Sequence, residues 1–150
     1  MNDKLKYYLT DFLTSEEGAP EELIEQLQKQ LDFTLPKYYI RLMKEFNGGE
    51  GGIGDDSWLS LFPIDDLIQT NEDYHLYLMQ YIPNYYLFGK DAADTGYAFH
   101  KQNETIHSFG LMSNFKRTNF IGSVNDFKTD SIEFCGNNFI EFIEYLYYKK

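Results

Sequence analysis

The sequence predicts an α+β fold, a single domain in which N-terminal helices and a C-terminal helix pack against a mostly antiparallel β-sheet. Two patterns and the chain length carry this expectation. Apolar residues recur at helical spacing from Pro20 to Phe46 and again from Phe139 to Leu146. Between them, from Trp58 to Phe109, the apolar runs are short and separated by turn residues, as antiparallel strands require. The chain has 150 residues, enough for one core that buries about 68–70% of the unfolded surface.

Taken in order, Leu5, Tyr8, Leu9, Phe12 and Leu13 fall on one helical stripe and predict a short helix over the first dozen residues. Ser15 to Ala19 is a polar break. Pro20 then opens a helix with Glu21, Glu22 and Glu25 near its positive end and Leu23, Ile24, Leu27 and Leu31 on its inner face. Asp32-Phe33-Thr34 leads into Leu35-Pro36 and a second helix, whose buried stripe is Tyr39, Leu42, Met43 and Phe46. Asn47 and Gly48 tolerate the left-handed conformation that closes a helix, and Gly49 frees the chain to turn away.

The run from Glu50 to Ser57, rich in glycine and acid, reads as a loop. Trp58 to Phe62 alternates at period two and reads as a strand ended by Pro63. Ile64 to Tyr81 carries a less regular helical pattern. Tyr85 to Phe88, Tyr97 to His100 and Thr105 to Phe109 predict three antiparallel strands joined by polar turns. From Gly110 to Asp130 the signals weaken to an irregular excursion anchored by Phe115, Phe120, Val124 and Phe127, with one short strand at most. Ile132 to Phe134 reads as an edge strand, and Asn138 with Glu141 has N-cap and N3 spacing. Phe139, Phe142, Ile143 and Leu146 then line the closing helix, and Phe99, Phe109 and Phe134 are expected in the core.

The formal net charge of −11 argues against direct nucleic-acid binding, which rests on clustered Lys and Arg. It serves solubility, and it also suits a basic protein partner. Cys135 is the only cysteine, so an internal disulfide is excluded and an inert, buried thiol is expected. No apolar stretch approaches the ~18 residues of a membrane helix, and the first residues do not read as a secretion signal. A cytoplasmic protein without membrane contact is expected.

Candidate chemistry is sparse. His100 and His107 face each other if Asn103-Glu104 is a two-residue hairpin loop, but zinc takes three or four protein ligands, and no third His or Cys lies nearby in sequence. Asp91, Asp94 and Gly96 lack the alternating oxygens and terminal acid of a calcium loop. The glycines from Gly48 to Gly54 follow a helix and carry acid, unlike a phosphate-binding loop. Asp55/Asp56 and Asp65/Asp66 are adjacent loop carboxylates, not aimed at one substrate atom, and Cys135 has no evident base. No catalytic residue, metal or cofactor is expected.

What remains is a binding surface. Its candidates are two acidic turns, with Glu50, Asp55 and Asp56 on one and Asp91 and Asp94 on the other, and Trp58, Tyr85 and Tyr97 as neighbouring aromatic anchors. For Trp58, a core position on the inner face of the sheet is the preferred reading, ahead of an interface role.

Several of these stretches together resemble the SUKH superfamily, or Smi/Knr. The likeness rests on the acidic helix, the phenylalanine linker, the Leu35-Pro36 start, the aromatic and aliphatic stripe and Asn47-Gly48-Gly49. It continues through Trp58 to Leu67, through the strand-turn-strand of Leu87 to Phe99, and through Asn137 to Leu146. It spans roughly Pro20 to Leu146; Ala92-Ala93 departs from glycines common in the family, and the first helix lies outside the likeness. The resemblance implies the same α+β architecture. It also implies a bacterial immunity protein that binds a cognate polymorphic toxin, a basic nuclease-like domain, in the cytoplasm. The alternatives are a non-enzymatic scaffold like the yeast cell-wall regulators of this group, and a small metal- or ligand-dependent enzyme using His100, His107 and Asp94.

Overall fold

The structure is a computed structural model that describes residues 3–14, 17–115 and 131–150. Helix α1 (Asp3–Tyr8) is followed by strand β1 (Phe12–Thr14), then α2 (Glu21–Gln30) and α3 (Lys37–Glu45). Next come β2 (Gly49–Ile53), β3 (Ser57–Leu61), a 3-10 turn (Ile64–Asp66), α4 (Leu67–Asp73) and a second 3-10 turn (Met79–Tyr81). Strands β4 (Tyr85–Lys90), β5 (Thr95–His100), β6 (Ile106–Gly110) and β7 (Glu133–Gly136) precede the closing helix α5 (Phe139–Tyr148). The seven strands form one antiparallel sheet in sequence order. The chain is thus α+β, as predicted.

Helix α3 is the centre of the packing. Tyr39 meets Phe88 and Phe99 of the sheet edge-on at 5.9 and 5.0 Å between ring centroids, and Phe139 of α5 at 5.6 Å. Phe88 and Phe99 stack at 4.2 Å beneath them. These offset and edge-on geometries are the favourable ones for aromatic quadrupoles. The linker before α3 is held by one amide: Gln28 donates to the Phe33 carbonyl at 2.6 Å and accepts from the Leu35 N–H at 2.8 Å. After α3 the left-handed residue is Gly48, with φ +92°. Asn47 acts instead through its side chain, accepting from the Ile64 N–H at 2.8 Å and donating to Asp65 at 2.7 Å. It ties the end of α3 to the turn that leads into α4.

Three expectations on the elements are corrected. The first helix stops at Tyr8, and Phe12–Thr14 forms the edge strand β1, because a ladder with Gly49–Gly51 satisfies its backbone. The run after α3 is not a loop through Ser57: Gly49–Ile53 pairs with β1 on one side and β3 on the other. Only Gly54, Asp55 and Asp56 remain as the hairpin tip. Ile64 to Tyr81 is a broken succession of α4 and two 3-10 turns rather than one helix. Within the weakly patterned stretch from Gly110 to Asp130, Phe115 is buried, whereas Phe120, Val124 and Phe127 lie outside the described residues.

The sheet has apolar side chains on both faces. One face carries Leu59, Leu61, Tyr86, Phe88, Tyr97, Phe99 and Ile106, covered by α2, α3 and α5. The other carries Leu87, Ala98 and Phe109, covered by Leu78, Met79, Ile82, Leu111 and Phe115. Helix α5 starts at Asn138, whose side chain accepts from the Glu141 N–H at 2.9 Å, as its spacing predicts. Phe134 is the exception among the expected core residues: it is 54% exposed, on the second face of β7 beside His107. A four-residue strand at the sheet edge gives that face no covering layer among the described residues. Cys135 is buried, and burial is the main cause that raises its thiol pKa.

Candidate functional site

The hairpin β2–β3 turns at Gly54, which has φ +68°. A Cβ there would lie 2.2 Å from the Tyr147 carbonyl oxygen, so only glycine lets the tip rest on the end of α5. Asp55 and Asp56 project from this tip, and the Lys150 ammonium is 3.8 Å from the Asp55 carboxylate at an exposed site. In the β4–β5 turn, the Asp91 carboxylate accepts from the N–H groups of Ala93 and Thr95 at 2.8 and 3.0 Å. It therefore holds its own turn, a role the sequence reading did not give it. Asp94 is tied by its carbonyl, which accepts from the Leu111 N–H at 2.6 Å, leaving its carboxylate exposed.

Register brings the two turns together. Ser60 pairs with Lys90 and Leu61 with Gly89, so the start of β3 and the end of β4 point the same way. Asp55, Asp56, Asp91 and Asp94 thus leave the sheet at one end. Glu50 and Trp58 adjoin them on the second face of the β2–β3 hairpin: Glu50 lies opposite Ser60, which donates to it at 3.2 Å, and Trp58 lies opposite Gly52. Trp58 is 39% exposed on this face. That corrects the preferred reading of it as an inner-face core residue, because Leu59 and Leu61 take the inner positions at period two.

The other two aromatic candidates separate from this group. Tyr97 is 4% exposed and packs 4.9 Å from Phe142 of α5. Burial, then the charge of Asp91, raises its pKa, and its ring has no surface to offer a partner. Tyr85 is half-buried at the opposite end of the sheet, edge-on to His100 and His107 at 5.2 and 5.3 Å. The two histidines lie diagonally, not directly opposite. Ala98 faces His107, and the His100 N–H donates to the Thr105 carbonyl, so residues 101–104 form the loop, with Glu104 at φ 62°. His107 shares a 2.8 Å hydrogen bond with the Thr105 hydroxyl. Among the described residues no group of three or more His, Cys, Asp or Glu is placed to hold a metal ion.

Sequence reasoning missed a cleft at the Tyr85 end, between the end of α2, α4 and the start of β4, lined in part by Asp32, Glu72 and Tyr86. The signals were Asp32 in the linker and the irregularity of Ile64 to Tyr81, but neither says that the two segments meet. Among the described residues no helix is long and apolar enough to cross a membrane.

The sequence model of the SMI1 / KNR4 family (SUKH-1) matches residues 18–145, which contain every candidate site residue named above. No curated protein matches the chain.

Proposed function

Because the chain belongs to the SMI1 / KNR4 family (SUKH-1), we propose that it is an immunity protein that binds a cognate toxin and neutralises it stoichiometrically, without turnover. The observation that carries the reading is the placement of acid in a chain of net charge −11: Asp55, Asp56 and Asp94 at one end of the sheet, with Glu50 and the exposed Trp58 on the adjoining face. A nuclease presents a basic surface to nucleic acid. An acidic inhibitor docks on that surface, gains association rate by electrostatic steering and covers the active site. Trp58 supplies an aromatic anchor of the kind that dominates interface energetics. The encounter takes place in the cytoplasm, where such a toxin reaches its nucleic-acid target.

The test is co-expression with a nuclease toxin domain encoded in the same gene neighbourhood, scored by survival of a sensitive host. The native chain is expected to rescue growth. A variant with Asp55→Lys, Asp56→Lys and Asp94→Lys, still folded by circular dichroism, is expected to lose most of the protection; Asp91 is left intact because its carboxylate supports the turn. Rescue by both chains would move the contact face elsewhere. Rescue by neither, with both proteins expressed, would sink the immunity reading for this pair and favour a regulatory scaffold.

A further inference from the structure

At the end of the sheet opposite the acidic turns lies the cleft bounded by α2, α4 and β4, with a volume of about 480 Å³. Sites of a few hundred Å³ with apolar walls and few polar groups are the usual form of a specific pocket. Here the buried Met79 and Tyr86 and the half-buried Ile68 form the floor, and the exposed carboxylates of Asp32 and Glu72 stand at the rim. Tyr86 is 8% exposed, and its hydroxyl has no hydrogen-bond partner among the described residues. A buried polar group left unpaired is costly, and natural proteins rarely keep one without a use. Burial raises the Tyr86 pKa to about 12, with further contributions from Asp32 and Glu72, so its hydroxyl lies within electrostatic reach of both rim carboxylates. Lys101 pairs with Asp32 at 3.1 Å, while Glu72 has no cationic partner among the described residues.

We propose that this cleft is a socket for an arginine side chain presented by the protein's basic partner. The inference deepens the immunity reading and rests on it for the source of that arginine. A guanidinium carries five N–H donors and no acceptor, and the cleft offers acceptors in the exposed Glu72 and Asp32 carboxylates, with the unpaired Tyr86 hydroxyl buried beneath them. The arginine methylenes match the apolar floor, and the planar head stacks on a tyrosine ring, which Tyr86 supplies there. Lys101, which also lines the cleft, offsets Asp32, so the unpaired Glu72 is the carboxylate that favours a cation over an anion. Arginines seated in such pockets are among the commonest interface hot spots, so this site adds an anchor remote from the acidic turns.

The experiment is an NMR titration of the full chain with N-acetyl-arginine methylamide, with the neutral citrulline and the lysine analogues as comparisons. Saturable shifts at Glu72, His75 and Tyr86 are expected with arginine, weaker ones with lysine and none with citrulline. Glu72→Gln is expected to weaken binding by about tenfold, the scale of one charge-assisted hydrogen bond. Tyr86→Phe, which keeps the ring, is expected to weaken it by a smaller factor. Absence of saturation, equal response to citrulline, or indifference to Glu72→Gln would overturn the socket. Failure here alongside rescue in co-expression removes the cleft and leaves immunity standing. Arginine binding without rescue keeps the socket and overturns the toxin as the source of its occupant.

Discussion

Tyr39 shows how a single residue can organise the core and still carry a cost. Its ring joins α3 to the sheet and to α5, yet its hydroxyl is buried and has no partner among the described residues, and burial raises its pKa well above the ordinary tyrosine value. Tyr39→Phe keeps the ring contacts and removes the unpaired group, so it is expected to raise unfolding free energy by about 1 kcal/mol. Denaturant unfolding measures this, and a fall in stability would show that the hydroxyl is satisfied in solution. His107 is the residue-scale counterpart for pH. Half-burial, then the proximity of His100, lowers its pKa below the ordinary 6.5. The folded state then binds fewer protons than the unfolded state as pH falls through 6.5, so this group's contribution to stability declines on acidification and recovers as pH rises. Its ring is surrounded by His100, Tyr85, Phe134 and the Thr105 hydroxyl, none of which offers a carboxylate to stabilise the charged form. His107→Gln is expected to flatten the dependence of Tm on pH between about 7.5 and about 5.5; identical slopes for both chains would contradict the assignment.

At the scale of elements, β2 is where local composition and pairing disagree. Its sequence, Gly49 to Ile53, has the flexibility of a loop, but it is a central strand between β1 and β3. Its backbone amides in the ladder are expected to exchange with solvent more slowly, by orders of magnitude, than those of the tip at Asp55 and Asp56. Uniformly fast exchange from Gly49 to Asp56 would restore the loop reading. Gly54→Ala forces a side chain into φ +68° and against the Tyr147 carbonyl. It is expected to cost about 1–3 kcal/mol, read as a lowered Tm. Helices α2, α3 and α5 were legible because periodicity, proline starts and the Asn138 cap are local signals. Strands β4 to β6 were legible as short apolar runs separated by polar turns. The edge strand β1 was not, since Phe12 extends the stripe of Leu5, Tyr8 and Leu9 by coincidence, and its pairing partner lies more than thirty residues away in sequence. Alternation likewise left open which face of a strand is covered, and this put Trp58 and Phe134 on the wrong side.

For the whole molecule, among the described residues, the seven-stranded sheet carries helices over one face and a shorter cover over part of the other, leaving Trp58 on the β2–β3 region of that second face partly exposed. The turn at Asp91 and Asp94 was legible as a turn, and the one at Asp55 and Asp56 was read too long because Gly49–Ile53 is a strand; that Asp55, Asp56, Asp91 and Asp94 share one end of the sheet follows only from the register of β3 on β4. The separation of Tyr85 and the burial of Tyr97 also depend on tertiary pairing, as does the cleft, which forms between segments that the sequence does not connect. Net charge acts at this scale too: with −11 on a small domain, the attraction to the proposed basic partner is expected to extend beyond the contact face and to weaken as salt shortens the screening length. The most direct measurement is the association rate of the purified chain with a basic nuclease toxin domain from its gene neighbourhood, followed from about 0.02 to about 0.5 M salt. The native chain is predicted to slow by about tenfold or more across that range, and the variant reversed at Asp55, Asp56 and Asp94 to start slower and depend less on salt. An association rate that ignores both salt and the reversed charges would contradict neutralisation through an acidic surface.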